Sequence, residues 1–209
     1  NASSNTIGGT TTLARNVISG NTNDGIYITG ASATNNVIQG NYIGLDTTGA
    51  TGLGNNQHGI SVTGGANGNT IGGTATGAGN VISGNASNGI TLNAANTIVQ
   101  GNLIGTNATG TGAIANANGI SISGASNTIG GTTSQARNII SGNTIEGIVI
   151  TGAGATGNIV QGNYVGTDIN GTSAIGNGRI GVYLLSGASS NTIGGSIAGT
   201  GNVISGNLS

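Results

Sequence analysis

The feature that most constrains this 209-residue chain is that it repeats itself, in two alternating versions, about every 61 residues. The segment Asn69-Thr-Ile-Gly-Gly returns at Asn5, Asn127 and Asn191. The segment Asn80-Val-Ile-Ser-Gly-Asn returns at Asn16, Asn202 and, with Ile for Val, Asn138. The isoleucines of these two motifs keep a fixed 11-residue spacing: Ile7 to Ile18, Ile71 to Ile82, Ile129 to Ile140 and Ile193 to Ile204. A further unit, Gln39-Gly-Asn-Tyr-Ile-Gly, recurs in close variants from Gln100 and Gln161. Another, Gly-Ile-x-Ile or a near variant, starts at Gly25, Gly59, Gly89, Gly119, Gly147 and Gly181, at intervals of 34, 30, 30, 28 and 34. Fixed spacing inside apolar motifs and variable spacing between them marks rigid strands joined by loops in a stacked repeat.

Each repeat holds three short strand signals. The first alternates with period two: Ile26 and Ile28, Ile60 and Val62, Ile90 and Leu92, Ile120 and Ile122, Ile148 and Ile150, Val182 and Leu184. The second carries Ile7, Ile38, Ile71, Val99, Ile129, Val160 and Ile193; the third carries Ile18, Ile43, Ile82, Ile104, Ile140, Val165 and Ile204. No stretch shows apolar residues at three- and four-residue steps, as a helix requires. The expected fold is therefore all-β: a right-handed, single-stranded parallel β-helix of about seven coils, each roughly 28–34 residues with three strands. Residues 1–209 read as one domain, with a partial first coil over 1–24 and the last coil over 181–209.

Composition then makes sense. The 45 glycines, 3% charged residues and absent Pro, Cys, Met, Trp and Phe would suggest a flexible low-complexity tract if they had no period. With a period they suit tight corners. Gly-Asn pairs such as Gly20-Asn21, Gly40-Asn41 and Gly84-Asn85 are expected at those corners, where positive φ favours either residue. Asn5, Asn36, Asn69, Asn127, Asn158 and Asn191 fall in one column before the second strand, where stacked amides can pair along the axis. Thr97 breaks that column.

These NxIxG, NVISGN and GIxIxG signals resemble the right-handed parallel β-helix repeats of the pectate-lyase-like superfold, especially Asn/Gly-rich repeat regions of large secreted or surface-attached bacterial proteins. Catalytic members of that superfold place clustered acids and bases on the outer face of the first strand. The matching face here offers Tyr27, Thr29, Ser61, Thr63, Thr91, Asn93, Ser121, Ser123, Thr151 and Tyr183 as a candidate binding surface, interrupted by Val149 and Leu185, with no acid or base among them. Glycoside cleavage needs paired carboxylates, so no catalytic residue, cofactor or metal site is expected.

All seven charged residues can be placed. Asp24, His58 and Glu146 precede the first strand, and Asp24 and His58 on neighbouring coils read as a solvated turn pair. Asp46 and Asp168 share a turn position four coils apart, roughly 19 Å at strand spacing; they are expected to cap turns through backbone N–H groups and to make poor calcium ligands. Arg15, Arg137 and Arg179 show no acidic partner in sequence and read as solvated. Tyr42 and Tyr164 suit packing as well as sugar stacking. The sequons at Asn1, Asn85, Asn107 and Asn170 are what chance gives in so Asn- and Thr-rich a chain. Three basic residues and no Lys leave no footprint for nucleic acid or phosphate loops. No apolar run is long enough for membrane insertion. The ends lack polar caps, which suggests an excised piece of a longer array or end-to-end stacking.

The expected role is thus a non-enzymatic extracellular or cell-surface structural or adhesive module, a stalk or fibre segment. Its expected partners are itself or adjoining repeats. Carbohydrate binding or polysaccharide degradation is the first alternative and ice binding the second.

Overall fold

The computed structural model describes residues 2–209, so Asn1 and its sequon lie outside the described residues. The chain is an all-β parallel solenoid with three sheets. The first-strand signals form a six-stranded sheet from Ile26–Thr29, Ile60–Thr63, Ile90–Leu92, Ile120–Ile122, Ile148–Thr151 and Val182–Leu185. The second form a seven-stranded sheet from Thr6–Gly8, Val37–Gln39, Thr70–Gly72, Ile98–Gln100, Thr128–Gly130, Ile159–Gln161 and Thr192–Ile193. The third form another seven-stranded sheet from Val17–Ile18, Tyr42–Ile43, Val81–Ile82, Leu103–Ile104, Ile139–Ile140, Tyr164–Val165 and Val203–Ile204. Six complete rungs are thereby stacked below two strands of a seventh. Among the described residues two single-turn 3-10 segments, Thr12–Ala14 and Ser134–Ala136, are the helical elements, and no helix is long and apolar enough to cross a membrane.

Register is in phase throughout: Ile38 pairs with Ile71, Ile43 with Ile82, and Ile60 with Ile90. Every motif isoleucine below the last rung of its sheet therefore lands on an Ile, Val or Leu one coil above, about 4.8 Å away. Ile38, Ile43, Ile60, Ile71, Ile82, Ile90, Ile104, Ile120, Ile122, Ile129 and Ile140 have no exposed surface. Each fully buried side chain contributes about 1.5–3 kcal/mol. A single coil has nothing to bury them against; the stack supplies it.

The two coil types differ in which corner carries the extra residues. In odd rungs the excursion joins the second strand to the third, at residues 10–15, 74–79, 132–137 and 196–201. In even rungs it joins the third strand to the first, as arches closed by antiparallel bridges Leu45↔Gly52, Thr106↔Ala113 and Thr167↔Ala174. Successive arches touch, because the Ala108 N–H donates to Gly49 O at 2.9 Å and the Ile169 N–H to Gly110 O at 3.0 Å.

Asparagine lines all three corners. The expected column is present, and two further ladders run beside it: Asn16, Asn41, Asn80, Asn102, Asn138, Asn163, Asn202, and Asn21, Asn55, Asn85, Asn116, Asn143, Asn177, Asn207. In each, Nδ2 of one rung donates to Oδ1 of the next at 2.7–3.1 Å. The Gly-Asn corners are corrected accordingly. Glycine alone takes the positive φ, +71° at Gly20 and +68° at Gly40, while its Asn neighbour turns inward to satisfy backbone groups. Asn102 shows the pattern in full: its Oδ1 accepts from the N–H and Nδ2 of Asn80, and its Nδ2 donates to Ile71 O, Gln100 O and Asn138 Oδ1.

Candidate functional site

The ten residues of the expected binding face lie on the first sheet in two parallel rows. Tyr27, Ser61, Thr91, Ser121, Val149 and Tyr183 are in register along one. Thr29 pairs with Thr63, and Thr151 with Leu185, along the other; Asn93 and Ser123 join it through a 2.8 Å bond from Ser123 Oγ to Asn93 Oδ1. Outward direction does not mean access. Ser61 and Thr91 are 2% and 8% exposed, while Tyr27 is 61% exposed. Thr91 Oγ1 lies 3.2 Å from His58 Nδ1, and Thr63 Oγ1 donates to Tyr27 Oη at 3.2 Å. The hydrogen bonds of Thr63, then Thr29, hold the Tyr27 phenol below its ordinary value. The face is a row of hydroxyls and amides able to exchange hydrogen bonds.

The charged residues do otherwise than float in solvent. The Asp24 carboxylate accepts from the His58 N–H of the next rung at 3.0 Å, and His58 Nδ1 accepts from the Asn88 N–H one rung further at 3.2 Å. Parallel coiling explains this: the residue before each first strand sits under the N–H of its successor. Such acceptance requires the neutral His58 tautomer with its proton on Nε2. Arg179 is not free either. Its Nη1 lies 3.0 Å from Glu146 Oε1, a carboxylate whose side chain is 7% exposed, because the loop of rung 6 returns over rung 5. Arg15 and Arg137 stack 4.0 Å over the rings of Tyr42 and Tyr164, each one rung above, and their Nε groups donate to Gly40 O at 3.4 Å and Gly162 O at 3.2 Å.

Asp46 and Asp168 cap their arches as the turn position suggests. Asp46 Oδ1 accepts from the N–H groups of Ala50 and Thr51, and Thr48 Oγ1 donates to both of its oxygens. Asp168 Oδ1 accepts from Thr172 N–H at 2.8 Å and Ser173 N–H at 3.1 Å. The bond from Thr48 leads in lowering the first carboxyl, and the Ser173 and Thr172 amides lead in lowering the second. Asn107 takes the same place in the middle arch, with Oδ1 accepting from Thr111 N–H at 3.0 Å.

A concavity lies on the third sheet. The odd-rung excursions and the even-rung arches rise on opposite sides of its outward row and leave a cleft of about 390 Å³ between them. Tyr42, Val81, Leu103 and Ile139 form the floor, and Arg15 and Arg137 stand on the same wall. Sequence reasoning missed this feature. The signal was present: Arg15 and Arg137 are 122 residues apart, two double repeats, and so are Tyr42 and Tyr164. Comparison with protein-family models, with curated proteins and with solved structures finds no match for the chain.

Proposed function

We propose that this chain is a segment of a stiff, non-enzymatic rod, a structural or adhesive module of the kind found as Asn/Gly-rich pectate-lyase-like repeats in secreted or surface-attached bacterial proteins. One observation carries the reading. The side chains that would do chemistry in an enzyme are engaged in joining one rung to the next or in closing their own turn. Arg15 and Arg137 reach the rung above, Asp24 and His58 cap the N–H of the rung above, Arg179 closes on Glu146, and Asp46 and Asp168 hold arches. Each asparagine ladder also has a direction, donors toward one end and acceptors toward the other. The matching partner for any rung is therefore another rung of the same design, in the same chain or in a second copy.

The test has a mechanical arm and a chemical one. Pulled between its termini in a force spectrometer, the chain should resist and then yield in cooperative, rung-sized steps. Incubated with neutral and acidic polysaccharides, it should produce no new reducing ends. Featureless extension at low force counts against the rod, and any turnover of a glycan overturns the non-enzymatic reading.

A further inference from the structure

The two stacked arginines invite a question that rod stiffness leaves unanswered. Among the described residues neither Arg15 nor Arg137 has a carboxylate partner, unlike Arg179. Both are fixed, each held by a backbone carbonyl of the rung above and pressed on an aromatic ring of that same rung, and both line one cleft. A planar cation immobilised in this way is pre-organised for a carboxylate, because little side-chain freedom is left to lose on binding. Gly79 and Gly201 stand where the two arginines stand in the like rungs, so no third charge stands between Arg15 and Arg137 on that wall.

We propose that this cleft binds an extended acidic peptide segment of a partner protein, lying along the rod axis with one carboxylate on each arginine. The spacing sets the register. Four rungs separate Arg15 from Arg137, roughly 19 Å at strand spacing, which an extended peptide covers in about six residues. An even separation puts both carboxylates on the same side of the peptide. The floor argues for a peptide over a sugar chain. Val81 and Ile139 are 6% and 3% exposed, so half-buried Leu103 is the apolar side chain of that row a ligand can reach, and it suits one apolar peptide side chain, while the exposed Ser134 and Gln135 on the wall can meet a peptide backbone. Ala108 and Ile169 of the arches line the cleft opposite the arginines. This adds a binding site to the rod reading and does not depend on it.

The experiment is fluorescence anisotropy on the intact chain with end-blocked peptides of seven residues, Glu at both ends and Thr and Val between. Binding is expected to weaken about tenfold or more when either Glu is replaced by Gln, or when the two are brought three residues apart. It should weaken similarly in R15Q and in R137Q, and fall with added salt. The peptide-side changes leave the protein untouched, so they decide the matter even where an arginine variant loosens its loop. Equal binding of the Glu and Gln peptides, indifference to both arginine changes, or no binding at all overturns the proposal. Arginine-dependent binding of a polyuronate in place of the peptide overturns it too, and reassigns the cleft to a glycan.

Discussion

Asn69 and Thr97 occupy successive rungs of one column, and no side-chain bond joins them. Elsewhere in that ladder the upper residue offers an Oδ1 to the N–H and Nδ2 of the one below, as Asn69 does for Asn36 at 2.9 Å. Thr97 keeps half of the arrangement, since its N–H donates to Asn127 Oδ1 at 2.8 Å. Its own Oγ1 is buried without a hydrogen-bond partner, and the Asn69 Nδ2 turns to the carbonyls of Ala33 and Ala66. A buried hydroxyl in this state costs about 1–3 kcal/mol.

Thr97→Asn should therefore stabilise the chain. It removes the orphan hydroxyl and supplies an Oδ1 to Asn69 and an Nδ2 to Asn127, in a corner that holds Asn without exposure at Asn69 and Asn127. A gain of about 1–2 kcal/mol is expected, raising the melting temperature by roughly 2–8 °C for a chain of this size. Thermal unfolding followed by circular dichroism measures it, and a lower midpoint for the variant would refute the account of the break.

The opposite change should show how much a complete ladder is worth. Asn102→Ala removes five side-chain bonds at the centre of the stack: the buried Asn80 N–H loses its acceptor, and Asn80 Nδ2, Ile71 O, Gln100 O and Asn138 Oδ1 each lose one bond. A loss of about 4 kcal/mol or more is expected. Asn202→Ala in rung 7 breaks the same ladder where Asn202 is only part-buried and water can replace what is lost. It should cost less than half as much. Equal midpoints for the two variants would mean that the ladders add little to the isoleucine core.

How far the sequence foretold this structure depends on the kind of contact. The rungs, the three strands and the isoleucine columns were legible because like residues stack on like residues, and a period displays that directly. The Asp46 and Asp168 caps were legible because their partners lie four and five residues away. Two asparagine ladders were misread, since Gly and Asn both suit a corner and only coordinates show that Gly20 takes the strained φ while Asn21 turns in. The Arg179–Glu146 pair and the Arg15–Tyr42 stack escaped because loop length, not motif spacing, decides what a loop side chain meets on the next rung. On the first sheet the row was legible and its access was not: Ser61 points outward yet is covered.

The Arg179–Glu146 pair makes its own prediction. Arg179→Gln leaves the nearly buried Glu146 carboxylate without its cation. Because the arginine itself is 59% exposed, the loss should fall below that of a fully buried pair, at about 1–3 kcal/mol. Glu146→Gln removes the charge that needs compensation, so the double variant should recover much of the stability lost in the first. A double-mutant cycle by chemical denaturation reads the coupling directly. Strictly additive losses would show that the two side chains are neighbours without being partners.

The arches carry the pH dependence, and Asn107 is its built-in control. Asp46 and Asp168 are held below the usual carboxylate range by bonds to the ionised form, so the folded arch prefers the charge more than the unfolded chain does. The stability they contribute is complete above the ordinary aspartate value of about 3.9 and is lost as pH falls through their lowered values. Amide exchange at Thr172 and Ser173 should accelerate, relative to the intrinsic rate, as pH drops through that window. Exchange at Thr111 should not, because the Asn107 amide that accepts its N–H does not titrate. Asp168→Asn should leave the third arch closed while abolishing its pH response. An arch that opens at neutral pH in that variant would show that Asp168 acts through its charge, and not through the acceptor geometry that it shares with Asn107.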